Sequence, residues 1–331
     1  MTAIEGTLGL SPAQTERVLE AAGRAPSLHN TQPWRFVVHP DAIELHADPE
    51  RRLPVTDPDG QALRLACGAA LFNLRLALHG CGIRPVVTPF PDRDDPDLVA
   101  VLRRGGARPP TAEQRALLRA VPLRSTNRRP FSDVPVAPPD RHALRRAALE
   151  EGCWLHIVDD HGQRARLHRL AIEAHRVQMA DPDFRTELAQ WTAVSDTRRD
   201  GVPASAGGPL PEPNEAWRLR DFSGGTAAPG KEIEPEPMLA VLSAHLLGPH
   251  AEVQAGQAMQ RMLLTATVHG LAASFVSQLI EVPRAREELR RLIGGTRPPQ
   301  VVLRIGYGRT VTPTARRAVT DLLEPHASPV G

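Results

Sequence analysis

The sequence predicts an α+β protein with two fused pseudo-repeats, each containing a mostly antiparallel sheet flanked by helices. Two observations favour this fold class. Residues 61–80 and 253–270 are long apolar segments whose hydrophobic residues recur at helical spacing. Each is followed by extended segments, and the last of these ends in glycine, at Gly105 and at Gly306. The repeated order favours a duplicated unit over the chance likeness of two Leu- and Ala-rich helices.

The first half begins with a helix and two strands. Ser11 and Gln14 form a predicted capping box, with Pro12 in the first turn, so we expect a helix that runs to about Gly23. A polar loop precedes two β-rich runs joined at Pro40. The predicted elements are helices at 12–23, 61–80 and 111–121, and strands at 34–38, 43–46, 83–90 and 98–102.

The second half repeats these kinds of element around a long irregular stretch. Residues 196–237 are rich in Gly, Pro and Ser, and so long an irregular stretch is usually a lid or disordered. We therefore expect repeats at 1–121 and 122–331, with a lid-like insert at about 183–237, and we align Gly80 with Gly270. The predicted elements are helices at 138–151, 163–180, 253–270 and 284–293, strands at 154–158 and 301–305, an extended segment at 272–280 and a terminal arm at 309–331.

Composition excludes several classes of function. The chain has 331 residues, is 41% hydrophobic and carries a net charge of +2, which argues against a nucleic-acid partner. No apolar run approaches a membrane span, and the N-terminus lacks the features of a signal peptide. We expect a cytoplasmic protein with small-molecule ligands, in which Cys67, Cys81 and Cys153 are buried, reduced thiols. The His-Asp-rich segment 156–161 fits no known metal-ligand spacing, so we expect no metal site.

Two short motifs carry the chemistry. Residues 25–36 read A-P-S-L-H-N-T-Q-P-W-R-F and lie between a predicted helix and a predicted strand. Residues 124–131 read R-S-T-N-R-R-P-F. Arginines and small hydroxyls in one loop suit a phosphate monoester, although an Arg-rich loop is more often a solvated surface. A third segment, 305–309, reads I-G-Y-G-R and has further basic residues beyond it.

These motifs resemble those of FMN-dependent nitroreductases. Residues 25–36 resemble the family's P-S-x-x-N-x-Q-P-W segment, and residues 124–136 resemble its R-R-S-x-R-x-F-x-x-x-P-V segment. The resemblance is closest to the Acg branch, whose members are single chains with a fused pseudo-dimer and a Gly/Pro-rich insert, and it covers nearly the whole chain. It implies the nitroreductase fold, a monomer, and a lid that can cover the flavin.

The resemblance also implies one FMN per chain. In the family, the arginine motif of one subunit and the N-x-Q-P-W motif of the other hold each FMN. Here the first half has only residues 5–8 where the arginines belong, and the second half has only 150–154 where N-x-Q-P-W belongs. One composite site is therefore complete, while the other has neither motif.

Carried over by position, the resemblance assigns a role to each motif residue. Ser277 and Gln278 replace the family's Glu-Gly pair, whose backbone donors lie near the reactive ring nitrogen. Trp191 is a candidate lid or ring contact, or a plain buried aromatic. The flavin brings the hydride chemistry, so no catalytic acid or base is assigned. The expected cofactor-binding residues are Arg124, Ser125, Thr126 and Arg128 for the phosphate and ribityl chain, Arg309 and Arg316 for added charge, Pro26, Ser27, Leu28 and Asn30 for the ring, Gln32 for the loop's shape, and Ser277 and Gln278.

The leading expectation is an FMN-dependent oxidoreductase of nitroreductase type that reduces a small organic oxidant, with NAD(P)H as a transient reductant. The alternative is a flavin-storing or flavin-sequestering protein, in which the lid-like insert covers FMN and turnover is low. A structural module that has lost its flavin is disfavoured by the complete composite site.

Overall fold

The computed structural model describes residues 4–207, 237–309, 311 and 313–324. In the first half, a capping box between Ser11 and Gln14 starts the first helix, as the sequence predicts. The strands form one antiparallel sheet in the order β1-β2-β4-β3. The elements are α1 (Pro12–Gly23), β1 (Trp34–Val38), β2 (Ala42–Ala47), α2 (Gln61–Gly80), β3 (Ile83–Pro89), β4 (Leu98–Ala107) and α3 (Ala112–Ala120).

The second half forms another antiparallel sheet, in the order β5-β8-β10-β9. In each sheet, the strand that comes third in the chain, β3 or β9, lies at an edge and pairs with the strand that comes fourth, β4 or β10. The elements are α4 (Pro138–Glu150), β5 (Trp154–Val158), α5 (His161–Ala180), α6 (Pro182–Trp191), β6 (Thr192–Val194), β7 (Val202–Pro203), β8 (Met238–Ser243), α7 (Pro249–Val268), β9 (Ala272–Phe275), α8 (Gln278–Glu281), α9 (Pro283–Leu292), β10 (Pro299–Gly306) and α10 (Val319–Leu322).

The two long helices, α2 and α7, pack on their own sheets and on each other. They cross at two glycines that allow close backbone approach. A Cβ atom on Gly68 would overlap the carbonyl oxygen of Val253, and one on Gly256 would overlap that of Leu65. Each glycine meets the residue three positions before the other, which is the reciprocity of a two-fold contact.

The structure aligns the two halves two residues away from the Gly80–Gly270 alignment predicted from the sequence. Gly82 and Gly270 both follow a helix C-cap and have positive φ, +77° and +70°. Gly80 is instead the last residue of α2 itself. Aligning Gly80 with Gly270 was therefore wrong, because the left-handed glycine after a helix marks its end and the sequence does not show which glycine adopts that conformation.

Other expectations also need correction. Only Ala272–Phe275 of the extended segment is strand, and α8 follows it. The lid-like insert starts in α6, which Asp181 caps, and the central strand β8 directly after the insert was not predicted. The Cys81 thiol is exposed, because α2 ends one residue before it. Residues 208–236 of the insert and 325–331 of the arm lie outside the described residues.

The end of the second half crosses to the first half. Leu323 forms a parallel bridge with Phe36 of β1, and the Glu324 N–H donates to the Phe36 carbonyl at 3.0 Å. Helix α10 packs against α1. The arm therefore joins the halves and lies beside the loop that connects α1 to β1. Across the described ranges, no helix combines the length and the apolar character needed to cross a membrane.

Candidate active site

The loop between α1 and β1 has an unusual backbone. His29, Asn30 and Gln32 have φ angles of 50°, 58° and 51°, a region that non-glycine residues adopt rarely. The Ser27 hydroxyl accepts the Gln32 N–H at 2.8 Å, and the Ser27 carbonyl accepts the Asn30 N–H at 3.1 Å. Strained backbone of this kind persists where the surroundings hold it and is concentrated at functional sites.

The arginine-rich loop at 124–131 is held by the second sheet. Thr126 forms a parallel bridge with Ala273 of β9, and the Asn127 N–H donates to the Ala273 carbonyl at 2.9 Å. The Phe131 ring lies against Gly306 and Gly308, where a side chain would collide with it or with the Asn127 amide. The arginine motif is therefore held by the sheet of the second half, whereas the first motif belongs to the first half and is held by hydrogen bonds within its own loop.

Two adjoining cavities separate the motifs. The wide cavity measures about 590 Å³ and the narrow cavity about 170 Å³. Pro26 and Ser27 of the first half, and Thr126 and Arg128 of the second, line both of them. The combined space is thus built from both halves, and the four shared residues lie at its junction.

The wide cavity is strongly basic. Burial lowers the pKa of Arg124 to about 10, and burial with repulsion from Arg124 lowers that of Arg128 to about 10. Burial and the charge of Arg124 also lower the pKa of Arg316 to about 9. The Arg124 side chain has no hydrogen-bond or ion-pair partner among the described residues, and it is 5% exposed. A buried cation without an acid is costly, so this cavity suits an anion.

The narrow cavity is mostly apolar. Leu28, Leu65 and Phe275 contribute to its walls, and α8 begins at its edge with Ser277 and Gln278. Within the described part of the chain, the Ser277 N–H has no acceptor, so a backbone donor is available there. Apolar walls with a few polar groups are typical of a site for a flat organic ring.

The described start of the insert lies against the first motif. The Asn30 amide donates to the Gly201 carbonyl at 3.0 Å. Asp200 accepts hydrogen bonds from Arg51 and Arg198. Burial alone would raise the pKa of Asp200, but these two arginines outweigh it and lower that pKa. The Arg128 guanidinium, at the junction, donates to the Ala206 carbonyl at 3.1 Å.

All the predicted site residues except Gln32 line one of the two cavities. Gln32 is fully buried behind the loop, where its amide donates to the Arg199 carbonyl at 2.9 Å and accepts the Arg317 N–H at 2.8 Å. Trp191 lines neither cavity, and its ring faces the guanidinium groups of Arg51 and Arg198 at 5.9 and 5.3 Å.

Several lining residues were missed by the sequence analysis. Arg129 follows Arg128 in the arginine motif, but the others lie outside the quoted motifs, in the loop before α2, at the start of α2, on α9, on β7 and β10, and in the arm. Periodicity could have shown only that these positions face inward. The missed residues include Thr56, Asp57, Gln61, Arg286 and Gln300 in the narrow cavity, and Arg129, Pro203 and Thr314 in the wide one.

Comparison with known proteins decides the family. Residues 7–71 match the Nitroreductase family. The provisionally named NAD(P)H nitroreductase Rv3131 of Mycobacterium tuberculosis is 33% identical over 326 residues, which cover 94% of this chain and 92% of that one. The chain belongs to the nitroreductase family. The predicted α+β nitroreductase fold is thereby confirmed.

The resemblance to the Acg branch is also confirmed. The provisionally named NAD(P)H nitroreductase acg of the same organism is 29% identical over 293 residues, or 87% of each chain. Among solved structures, an FMN-bound nitroreductase of Desulfitobacterium hafniense matches 61% of this chain and 94% of its own length. Its sequence identity is 13% and its TM-score is 0.40. The family assignment rests on the two mycobacterial relatives and not on this weaker structural likeness.

Proposed function

We propose that the chain is an FMN-dependent oxidoreductase that reduces small organic oxidants with electrons from NAD(P)H. The observation that carries the proposal is the buried guanidinium of Arg124, which has no partner among the described residues and lies in a basic cavity that adjoins an apolar one. A phosphate monoester joined to a flat ring has this combination of charge and shape. The names of the mycobacterial relatives, NAD(P)H nitroreductases, support the choice of reductant.

Each part of the site fits one part of FMN. Arg124, Arg128 and Arg316 would bind the phosphate, because guanidinium groups make charge-assisted bonds to phosphate oxygens. The Leu28 side chain would lie against the ring, and the Ser277 N–H would donate to its edge. When bound, FMN supplies the hydride-transfer chemistry. The protein's residues bind and orient it, and the apolar walls keep water away from the ring.

We also propose a single FMN per chain and a monomer. The link between α4 and β5 consists of residues 151–153, whereas the link between α1 and β1 spans residues 24–33. In place of a long loop, the shorter link and its neighbour offer two carboxylates, Glu150 and Glu151, which pair with Arg261. Glu151 also accepts a hydrogen bond from Arg75 at 2.8 Å. The second half therefore lacks a loop of the length that contacts the ring in the first half, and the charged groups of the shorter link pair with each other.

Absorbance of the purified protein tests the proposal directly. We expect one FMN per chain after heat release, and bleaching of the flavin band when NADPH is added without oxygen. A protein that cannot be loaded with FMN contradicts the cofactor assignment. Two FMN per chain contradicts the claim of a single site.

The second candidate is flavin storage with little turnover. It is favoured by two contacts of the described start of the insert, from Asn30 of the first motif to Gly201 and from Arg51 to Asp200. A closed insert would block the exchange of nicotinamide for oxidant. Storage predicts that FMN stays oxidised with NADPH but is bleached by dithionite, a small reductant. Bleaching by both reagents supports the enzyme instead.

A further inference from the structure

One cation of the narrow cavity has no place in the phosphate site. Arg286 lies on α9 and lines the narrow cavity but not the wide one. Its guanidinium donates one hydrogen bond to the Gln61 carboxamide, and the Gln61 amide donates to Gln300 at 2.9 Å. These three residues join α2 of the first half to α9 and β10 of the second.

No acidic side chain in the described part of the chain forms an ion pair with Arg286. Its only side-chain partner among the described residues is the uncharged Gln61. A guanidinium carries five N–H donors in a planar fork, so most of its donors remain available to a ligand. Such a fork matches the two oxygens of a carboxylate.

The acidic residues that share this cavity are placed differently. Both oxygens of Asp57 accept backbone N–H groups of α2, from Ala62 at 3.0 Å and Leu63 at 2.9 Å. Glu281 accepts a hydrogen bond from Gln178 at 2.6 Å. Asp59 is exposed to solvent. These carboxylates therefore bind donors of the protein or face the solvent. Among the described residues that line only the narrow cavity, Arg286 is the one arginine.

We infer that Arg286 is a specificity-determining residue that binds the carboxylate of a flat aromatic acid in the narrow cavity. The apolar walls, including Leu65, Met259 and Phe275, suit the aromatic body. Gln61 and Gln300 hold the guanidinium in place through their linked carboxamides. The inference rests on the proposed function, because the acid would stack on the bound flavin ring from the side of the narrow cavity that Arg286, Gln61 and Gln300 form.

Binding of two matched ligands to the FMN-loaded protein tests the inference. 4-Nitrobenzoate and 4-nitrobenzamide have similar shape, and only the first is charged. Without a reductant neither is consumed, so calorimetry gives both dissociation constants. We expect the acid to bind about tenfold more tightly, since charge-assisted hydrogen bonds are roughly twice as strong as neutral ones.

Arg286→Gln should abolish this preference, leave amide binding within about twofold, and leave the FMN dissociation constant unchanged. Arg286→Lys should keep part of the preference, because it retains the charge but not the fork. Arg284→Gln is the matched control. Arg284 lies on the same helix with a side chain that is 78% exposed, outside both cavities, and its loss should change nothing.

Three results would overturn the inference. These are equal binding of acid and amide by the wild type, a preference that survives in Arg286→Gln, and a large loss of FMN affinity in that variant, which would place Arg286 against the flavin instead. Failure of the wild type to bind FMN is a different result, and it removes the proposed function. The same titrations of flavin-free protein would then decide the role of Arg286 by themselves.

Discussion

Replacing Arg124 by methionine should change two properties in opposite directions. The side chain is buried and has no partner among the described residues. Its pKa of about 10, against an ordinary value of 12.5, corresponds to about 3 kcal/mol against the charged form. Removing the charge should therefore raise the free energy of unfolding of the flavin-free protein by about 1 to 3 kcal/mol, since methionine keeps most of the packing.

The same substitution should weaken FMN binding. Truncating one partner of a buried charge pair costs about 2 to 5 kcal/mol, which corresponds to a loss of about 30- to several-thousand-fold in affinity. Urea unfolding of the flavin-free protein gives the first quantity, and flavin fluorescence titration gives the second. Arg119→Met is the matched control, because Arg119 is exposed on α3 and lines neither cavity.

A rise in the free energy of unfolding together with a loss of FMN affinity is expected only for a buried arginine that binds the phosphate. A structural arginine would lower stability when lost, and a solvated surface arginine would change neither quantity. If flavin-free Arg124→Met is less stable than the wild type by more than about 1 kcal/mol, Arg124 has a partner within the protein. If the FMN dissociation constant moves by less than about threefold, the phosphate does not bind at Arg124.

Three further predictions concern the loop, the insert and the helix pair. Gln32→Leu should speed FMN release in stopped-flow by about tenfold, because it leaves backbone groups of the insert and the arm without their partner; an unchanged rate contradicts this. Asp200→Asn should speed flavin reduction by NADPH at pH 7 if the contact with Arg51 keeps the insert closed. The folded-state pKa of Asp200 is lowered, so its ionised contact with the arginines is fully present above the unfolded pKa of 3.8 and is lost as pH falls through the folded pKa. The reduction rates of wild type and variant should therefore converge in strong acid. Gly68→Ala should destabilise the protein by about 3 kcal/mol or more in urea, since the added Cβ meets backbone of the facing helix, whereas Gly80→Ala, which meets only a leucine side chain, should cost less.

The sequence predicted the parts of the site that are local in the chain. The loop from Pro26 to Asn30 and the loop from Arg124 to Arg128 are each a short run with a fixed order of residue types, and both line the cavities. Local capping rules also placed α1 within one residue, through Ser11 and Gln14. Such features depend on neighbours a few positions away, so a single sequence is enough to find them.

Contacts that depend on tertiary packing were not predictable in this way. Arg286 reaches the narrow cavity because α9 follows β9 and α8, and nothing in its own neighbourhood distinguishes it from the other arginines of that helix. Trp191 was a candidate ring contact by position, yet it lies in the insert and stacks with Arg51 and Arg198. In both cases the direction of one side chain decides the role, and periodicity predicts only which face a residue lies on.

The helix pair and the loops differ in how strongly they constrain the two halves. Gly68 and Gly256 meet reciprocally, so a side chain at either would meet the backbone of the other helix. Packing of this kind limits both halves equally, which supports the predicted duplication. The α1–β1 loop and the α4–β5 link do not limit each other in this way, because the loop contacts the insert and the arm whereas the link contacts Arg75 and Arg261. Differences between the halves are therefore less constrained in these loops than at the helix crossing.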